Sequence, residues 1–189
     1  MTKIRSLLTF AALAFTGHFA LAADKNPVVV IETSAGTIKV ELLADKAPVT
    51  VKNFLGYVDD KFYDGTIFHR VMPNFMIQGG GFEAGMREKA TKAPIVNEAS
   101  NGVANDRGTV AMARTRVPNS ATAQFYINLK DNPGLNKAQD PDGVGYCVFG
   151  KVLEGMDAVD KIAQAQTANR GGHEAVPVED IVIKSIRKE

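Results

Sequence analysis

The densest meeting of charge, apolar surface and amide groups in this chain is the stretch Phe68-His69-Arg70-Val71-Met72-Pro73-Asn74-Phe75-Met76-Ile77-Gln78-Gly79-Gly80. An arginine guanidinium stays charged at physiological pH and presents its donors in a rigid fork. Phe75 and Met76 add a soft apolar surface, and Gln78 adds one donor and one acceptor group. Such a set can grip a neutral group and polarise it, but it holds no paired nucleophile and base. By residue type alone, Arg70 also suits an ordinary surface ion pair. His69 reads as a strand histidine facing opposite to Arg70, packed or hydrogen-bonded rather than engaged in acid–base work.

Other chemistries find little support. Cys147 is the single cysteine, so no intramolecular disulfide can form, and its setting in Tyr146-Cys147-Val148-Phe149 points to a buried, inert thiol. The histidines are His18, His69 and His173, too few and too scattered for a metal cluster, and no metal or cofactor is expected. Gly79-Gly80-Gly81 is followed by no Lys-Ser or Lys-Thr, which argues against a phosphate loop. A hydrolase would need a nucleophile elbow, a zinc motif or an available histidine partner, and none is evident. Arg107, Arg114 and Arg116 could form a basic patch or lie scattered on the surface.

The elements that must position these residues are mostly strands. Val28-Val29-Val30-Ile31 and Thr37-Ile38-Lys39-Val40-Glu41-Leu42 flank Ser34-Ala35-Gly36, a hairpin pattern in which Ile38, Val40 and Leu42 share one face. Pro48 suits a first helical turn, and Val51, Phe54, Leu55 and Val58 continue at helical spacing. Residues 66–78 read as two strands joined by a tight bend at Pro73-Asn74, and residues 79–107 as a long surface excursion. Strand-like runs return at 109–113, 124–128, 147–152 and 181–186, with a second short helix marked by Met156, Val159 and Ala163. Strands and helices do not alternate as in a βαβ protein, so a mostly antiparallel sheet closed on itself is predicted.

The N-terminus reads as a secretory signal peptide over residues 1–22. Lys3 and Arg5 precede an apolar run from Leu7 to Phe15, and Ala20-Leu21-Ala22 offers small residues at a cleavage site. The run falls short of the roughly 20 apolar residues of a spanning helix, so no stable membrane association is expected after cleavage. Cleavage leaves residues 23–189, whose net charge is −1 instead of the +1 of the whole chain. This length suits one domain, and the charge gives no long-range attraction for nucleic acid.

The 68–80 stretch resembles the cyclophilin signature F-H-R-V-x-x-x-F-M-x-Q-G-G at every fixed position. Met112-Ala113-Arg114 with Ser120-Ala121-Thr122-Ala123-Gln124-Phe125-Tyr126-Ile127 resembles a second block of that family, and Gly145-Tyr146-Cys147-Val148-Phe149-Gly150-Lys151-Val152 a third. The resemblance runs from about Val28 to Ile186 and is closest to bacterial secreted members. It implies a closed eight-stranded antiparallel β-barrel capped by two α-helices, with the substrate groove on the outer surface and the lumen filled. It also implies peptidyl-prolyl cis-trans isomerase activity with Arg70 as the catalytic group. Phe75, Met76, Tyr126 and Leu135 would line a proline pocket. Gln78, Gln124 and the backbone at Ala113 and Arg114 would hold the peptide, with Tyr146 at the position of the archetype's histidine. The implied partners are proline-containing segments of exported proteins that are unfolded or still folding, the location the periplasm, and the state a monomer.

Two departures stand out. Asn132-Pro133-Gly134-Leu135 puts glycine where the eukaryotic archetype has tryptophan, so cyclosporin binding should be weak; Tyr126 replaces the more usual phenylalanine. The competing reading is a non-catalytic proline-peptide-binding chaperone using the same groove. Intact Arg70, Phe75, Met76 and Gln124 favour the enzyme.

Overall fold

A computed structural model describes residues 26–189; the signal-peptide reading of residues 1–22 lies outside the described residues. Strands β1 (Val28–Thr33) and β2 (Thr37–Leu42) form the first hairpin, whose turn is closed by Thr33, its hydroxyl donating to the Gly36 carbonyl at 2.6 Å. Helix α1 (Pro48–Asp59) follows, then β3 (Thr66–Met72), β4 (Met76–Glu83) and the short β5 (Arg87–Glu88). Next come β6 (Thr109–Met112), β7 (Phe125–Asn128), a 3-10 turn at Pro133–Leu135, β8 (Val148–Glu154) and helix α2 (Met156–Ala163). A hairpin of β9 (Thr167–Arg170) and β10 (His173–Pro177) precedes β11 (Ile183–Lys188).

All pairings are antiparallel, and eight strands run in the order β11-β1-β2-β8-β6-β7-β4-β3, with β5 beside β4. The barrel closes between the outermost members. Gly65 N donates to Ile183 O, Phe68 N donates to Ile181 O, and Ile67 bridges Val182. These contacts nearly close the eight-strand path on itself, which reduces the main aggregation hazard of an antiparallel β protein.

The lumen is packed solid. Phe54 of α1 lies against Tyr63, Phe125 and Phe149 at centroid distances of 5.1, 5.7 and 5.1 Å, and Val159 and Ile162 of α2 are buried in the same cluster. Truncating one such aromatic would cost about 3–5 kcal/mol. Strand alternation then places the residues between these on the outer face. Ile77, Val110, Phe125, Ile127 and Phe149 belong to the lumen, whereas Met76, Ala111, Tyr126 and Val148 form a separate outer cluster joined by Phe75, Leu135 and Tyr146.

The structure corrects two sequence expectations about the chain around residue 79. Strand β4 does not stop at Gln78 but continues through the glycines to Glu83. A Cβ at Gly79 would come within 3.0 Å of the Phe68 ring, and Gly80 has φ +82° with the Tyr63 and Phe125 rings 2.9–3.0 Å from where its Cβ would be. These glycines permit close packing rather than a loop. The remaining excursion is tied down as well, since Ile95 bridges Ala121. His173, read as part of a Gly-rich segment, lies on β10.

Candidate functional site

The outer cluster becomes a site because of an irregularity in β3. The register pairs Phe68 with Gly79 but Arg70 with Gln78, so His69 is an extra residue between them. Phe68 and Val71, three apart, both reach the lumen, and His69 and Arg70 both face outward. The sequence expectation that His69 faces opposite to Arg70 is therefore corrected by a bulge, which shifts the two-residue repeat by one place. Past the bulge, Arg70, Met72, Met76 and Gln78 share the outer face. The connecting turn has Phe75 N donating to Met72 O at 3.1 Å, with Pro73 followed by Asn74 at φ +58°, a left-handed position that asparagine tolerates.

A small cavity of about 100 Å³ is lined by Arg70, Phe75, Met76, Gln78, Ala113, Arg114, Tyr126, Leu135 and Tyr146. The proposed site residues thus converge from β3, the β3–β4 turn, β4, the segment after β6, β7 and the segment between β7 and β8. Gln124 does not line this cavity. Its Oε1 accepts from Gln78 Nε2 at 2.9 Å, and it lines an adjoining cavity of about 550 Å³ that also includes His69, Arg70, Phe82 and His173. Arg70, Gln78 and Arg114 belong to both cavities. Larger hollows elsewhere on the barrel bring together no comparable set of cation, amide and apolar wall. Among the described residues, Arg70 enters no ion pair, so its guanidinium is free to donate into the groove.

Sequence reading missed a buried asparagine network beneath the pocket. Tyr126 Oη donates to Asn105 Oδ1 at 2.8 Å, and Asn128 Nδ2 donates to the same oxygen at 3.3 Å. Asn132 Nδ2 donates to Asn128 Oδ1 at 2.8 Å and to the Phe75 carbonyl at 2.9 Å. All three asparagines are buried, and each accepts or donates where an unpaired amide would cost about 1–3 kcal/mol. The network fixes Phe75 and Tyr126 relative to one another. Asn105 and Asn132 come from polar, turn-like text and Asn128 ends β7, with no pattern to mark them as one network.

Burial sets the protonation state of the titratable groups around the two cavities. Burial is the largest cause lowering His69 to about 4, helped by the nearby His173 and Arg70, so its imidazole is neutral at physiological pH. Its Nδ1 is buried without a partner. Burial also raises the Tyr126 hydroxyl well above its ordinary range, which keeps it protonated as a donor to Asn105. The Cys147 thiol is buried and pushed up to about 11, in agreement with an inert core residue.

The basic-patch reading fails. Arg114 is turned inward onto Asp140 and Asp142, and Arg107 pairs with Asp160, so two of the three arginines are neutralised locally.

Residues 28–188 match the family described as cyclophilin type peptidyl-prolyl cis-trans isomerase/CLD. A peptidyl-prolyl cis-trans isomerase of Acinetobacter baylyi is 54% identical over 183 residues, covering 97% of this chain and 94% of the relative. Peptidyl-prolyl cis-trans isomerase B of Escherichia coli is 56% identical over 160 residues, covering 84% and 98%. Among solved structures, a Cryptosporidium parvum cyclophilin-type isomerase superposes with a TM-score of 0.72 at 27% identity, covering 87% of this chain and 98% of that one. A second structure of that protein, obtained in the presence of the dipeptide Ala-Pro, gives 0.69 at 28% identity, covering 84% and 96%.

Proposed function

Since the chain belongs to the cyclophilin-type family and is a peptidyl-prolyl cis-trans isomerase, we propose that Arg70 drives the rotation at the mouth of the 100 Å³ cavity and that the substrates are exported proteins still folding. The X-Pro bond resists rotation because amide resonance imposes a barrier of about 18–20 kcal/mol. As the bond twists, the lone pair of the proline nitrogen localises. A donor aimed at that nitrogen is gained only in the twisted state, which is the condition for acceleration. No covalent bond breaks, so the neutral His69 and the buried Cys147 have no part to play.

The apolar wall of Phe75, Met76, Tyr126 and Leu135 fits a five-membered ring, and keeps water from the carbonyl whose polarised planar form water would stabilise. Gln78, held by Gln124, and the backbone at Ala113 and Arg114 are placed to bind the flanking peptide. The Ala-Pro dipeptide used with the Cryptosporidium protein supports a proline-containing peptide as the ligand class here.

The observation that carries this reading is an arginine without a carboxylate partner standing in the wall of an apolar pocket. Its test is Arg70→Ala. Turnover of a short proline peptide, read by exchange spectroscopy, should fall by about 10²-fold, the scale of losing one transition-state donor, while peptide affinity changes by a few-fold only. Full turnover in that variant would remove Arg70 from the chemistry.

The residue 1–22 pattern supports export, a mature chain of residues 23–189 and work in the periplasm, where X-Pro bonds of arriving chains otherwise isomerise over tens of seconds. The protein acts there as a monomer, with no cofactor.

A further inference from the structure

Residues 136–147 carry no helix or strand, yet they deliver Tyr146 to the pocket and lie beside Leu135. Ordering such a stretch costs about 1–2 kcal/mol per residue in backbone entropy, so something specific must hold it. One side chain stands at the centre of that hold. Arg114, two residues past the end of β6, has its side chain only 3% exposed. Its Nε donates to the Gly145 carbonyl at 3.0 Å and its Nη1 to the Thr115 carbonyl at 3.0 Å. Its Nη2 donates to Asp140 Oδ2 at 3.0 Å and to Asp142 at 3.3 Å. The same Asp140 oxygen accepts from Gly145 N at 2.7 Å, and the guanidinium lies 4.3 Å from the Tyr146 ring centroid.

Tyr146 N in turn donates to the Leu135 carbonyl at 2.9 Å, and the Tyr146 ring meets Tyr126 edge-on at 6.0 Å. The contacts therefore form a chain from Arg114 through Tyr146 to two apolar walls of the pocket. A guanidinium so deeply buried would be costly without partners, and here every hydrogen bond but the one to Thr115 ends on Asp140, Asp142 or Gly145 of that loop. Lysine offers a single point charge and cannot span the Gly145 carbonyl, the Thr115 carbonyl and the carboxylates together.

Resting on the isomerase reading above, we propose that the Arg114 side chain is a positioning residue, a latch that holds residues 136–146 so that Leu135 and Tyr146 form the far wall of the proline pocket. It acts on how tightly the ring is gripped, and Arg70 acts on the rotation.

The experiment is exchange spectroscopy on a proline tetrapeptide at several concentrations, separating KM from kcat, together with amide hydrogen exchange. In Arg114→Ala, KM should rise about tenfold, the scale of losing one charge-assisted hydrogen-bonded anchor, with kcat within about twofold of the parent. The Gly145 and Tyr146 amides should exchange at least about tenfold faster, while those of Phe125 and Ile127 in β7 stay protected. Arg114→Lys should restore less than half of the change. Asp140→Asn, a milder change at the outer end of the latch, should move both readouts the same way and keeps the test alive if Arg114→Ala folds poorly. An unchanged KM in a folded Arg114 or Asp140 variant overturns the latch, as does a fall in kcat at constant KM. Neither result touches the Arg70 test, because that variant is judged on kcat with binding retained.

Discussion

His69 sits next to Arg70 and invites a proton-transfer role, and its burial allows a quantitative test of the opposite view. Burial lowers it from 6.5 to about 4, with His173 and Arg70 adding repulsion and hydrogen bonding to the Ile67 backbone and to Gln124 partly opposing. The unfolded chain therefore binds this proton more readily than the folded one, and stability must fall as pH drops. Above pH 6.5 both states are neutral and the site contributes no pH dependence. Between pH 6.5 and 4 the unfolded state alone gains the proton, and below about 4 the loss levels off. At 1.36 kcal/mol per unit, the difference between pH 7.5 and 4.5 is about 2.5 kcal/mol. That is a large share of the roughly 5–15 kcal/mol that holds a domain together. The assay is urea unfolding of the parent and His69→Gln at both pH values. Carboxylates that titrate in acid are common to both proteins and cancel in the difference. The parent should lose about 2.5 kcal/mol more than the variant on acidification, a midpoint difference of about 1 M urea. If parent and variant lose stability in parallel, the imidazole is not held neutral by burial and the reasoning is wrong.

Two further outcomes probe the groove. A Cβ at Gly81 would come within 2.5–2.6 Å of the Gln124 side chain, so Gly81→Ala should displace Gln124 from Gln78 and lower kcat/KM by about fivefold, one hydrogen bond's worth, with the melting temperature nearly unchanged; stopped-flow assays on a proline peptide read it, and an unaltered kcat/KM would mean that Gln124 is not needed in place. Gly134 leaves no side chain beside Leu135 where an indole would add a donor and surface, so cyclosporin should inhibit weakly in the same assay, and submicromolar inhibition would refute that expectation.

Much of the architecture was legible because its signals are local. The Ser34-Ala35-Gly36 turn, the helical spacing from Val51 to Val58 and the Pro73-Asn74 bend each encode their element within a few residues, and α1 and the β3–β4 turn form where expected. The pocket residues were legible for another reason: Arg70, Phe75, Met76 and Gln78 sit in the 68–80 signature, and most of the others sit in two further blocks that resemble the same family. What escaped depends on distant partners. The bulge at His69 exists only relative to β4, and no pattern within β3 announces it. The glycines at 79–81 read as a loop because their role lies in what packs against them, the rings of Phe68, Tyr63 and Phe125 at Gly79 and Gly80 and the Gln124 side chain at Gly81. The β9–β10 hairpin is mostly exposed and shows no apolar alternation. Arg114 looked like one surface arginine among three until Asp140, 26 residues away, closed on it.

The same alternation that builds the barrel also explains why the candidate groove is on the outside. On β7, Phe125 and Ile127 are fully buried in the lumen core, and Tyr126 between them belongs to the outer cluster. On β4, Ile77 points into the lumen and Met76 into the groove. A filled lumen has no room for a peptide, so a ligand can meet this sheet only on its outer face, where ordinary barrels present polar residues to water. Here Met76 on β4, Ala111 on β6, Tyr126 on β7 and Val148 on β8 put apolar surface on the outer face, which would be an unfavourable exposed patch if left bare. The chain covers that patch with Phe75, Leu135 and Tyr146 from its loops and leaves one gap of about 100 Å³ at Arg70. A one-residue slip of β7 would exchange Tyr126 for Phe125 or Ile127 and ruin core and groove together. Register is therefore a functional variable in this fold. The buried Asn105, Asn128 and Asn132 network ties β7 to the Phe75 turn and so braces that register.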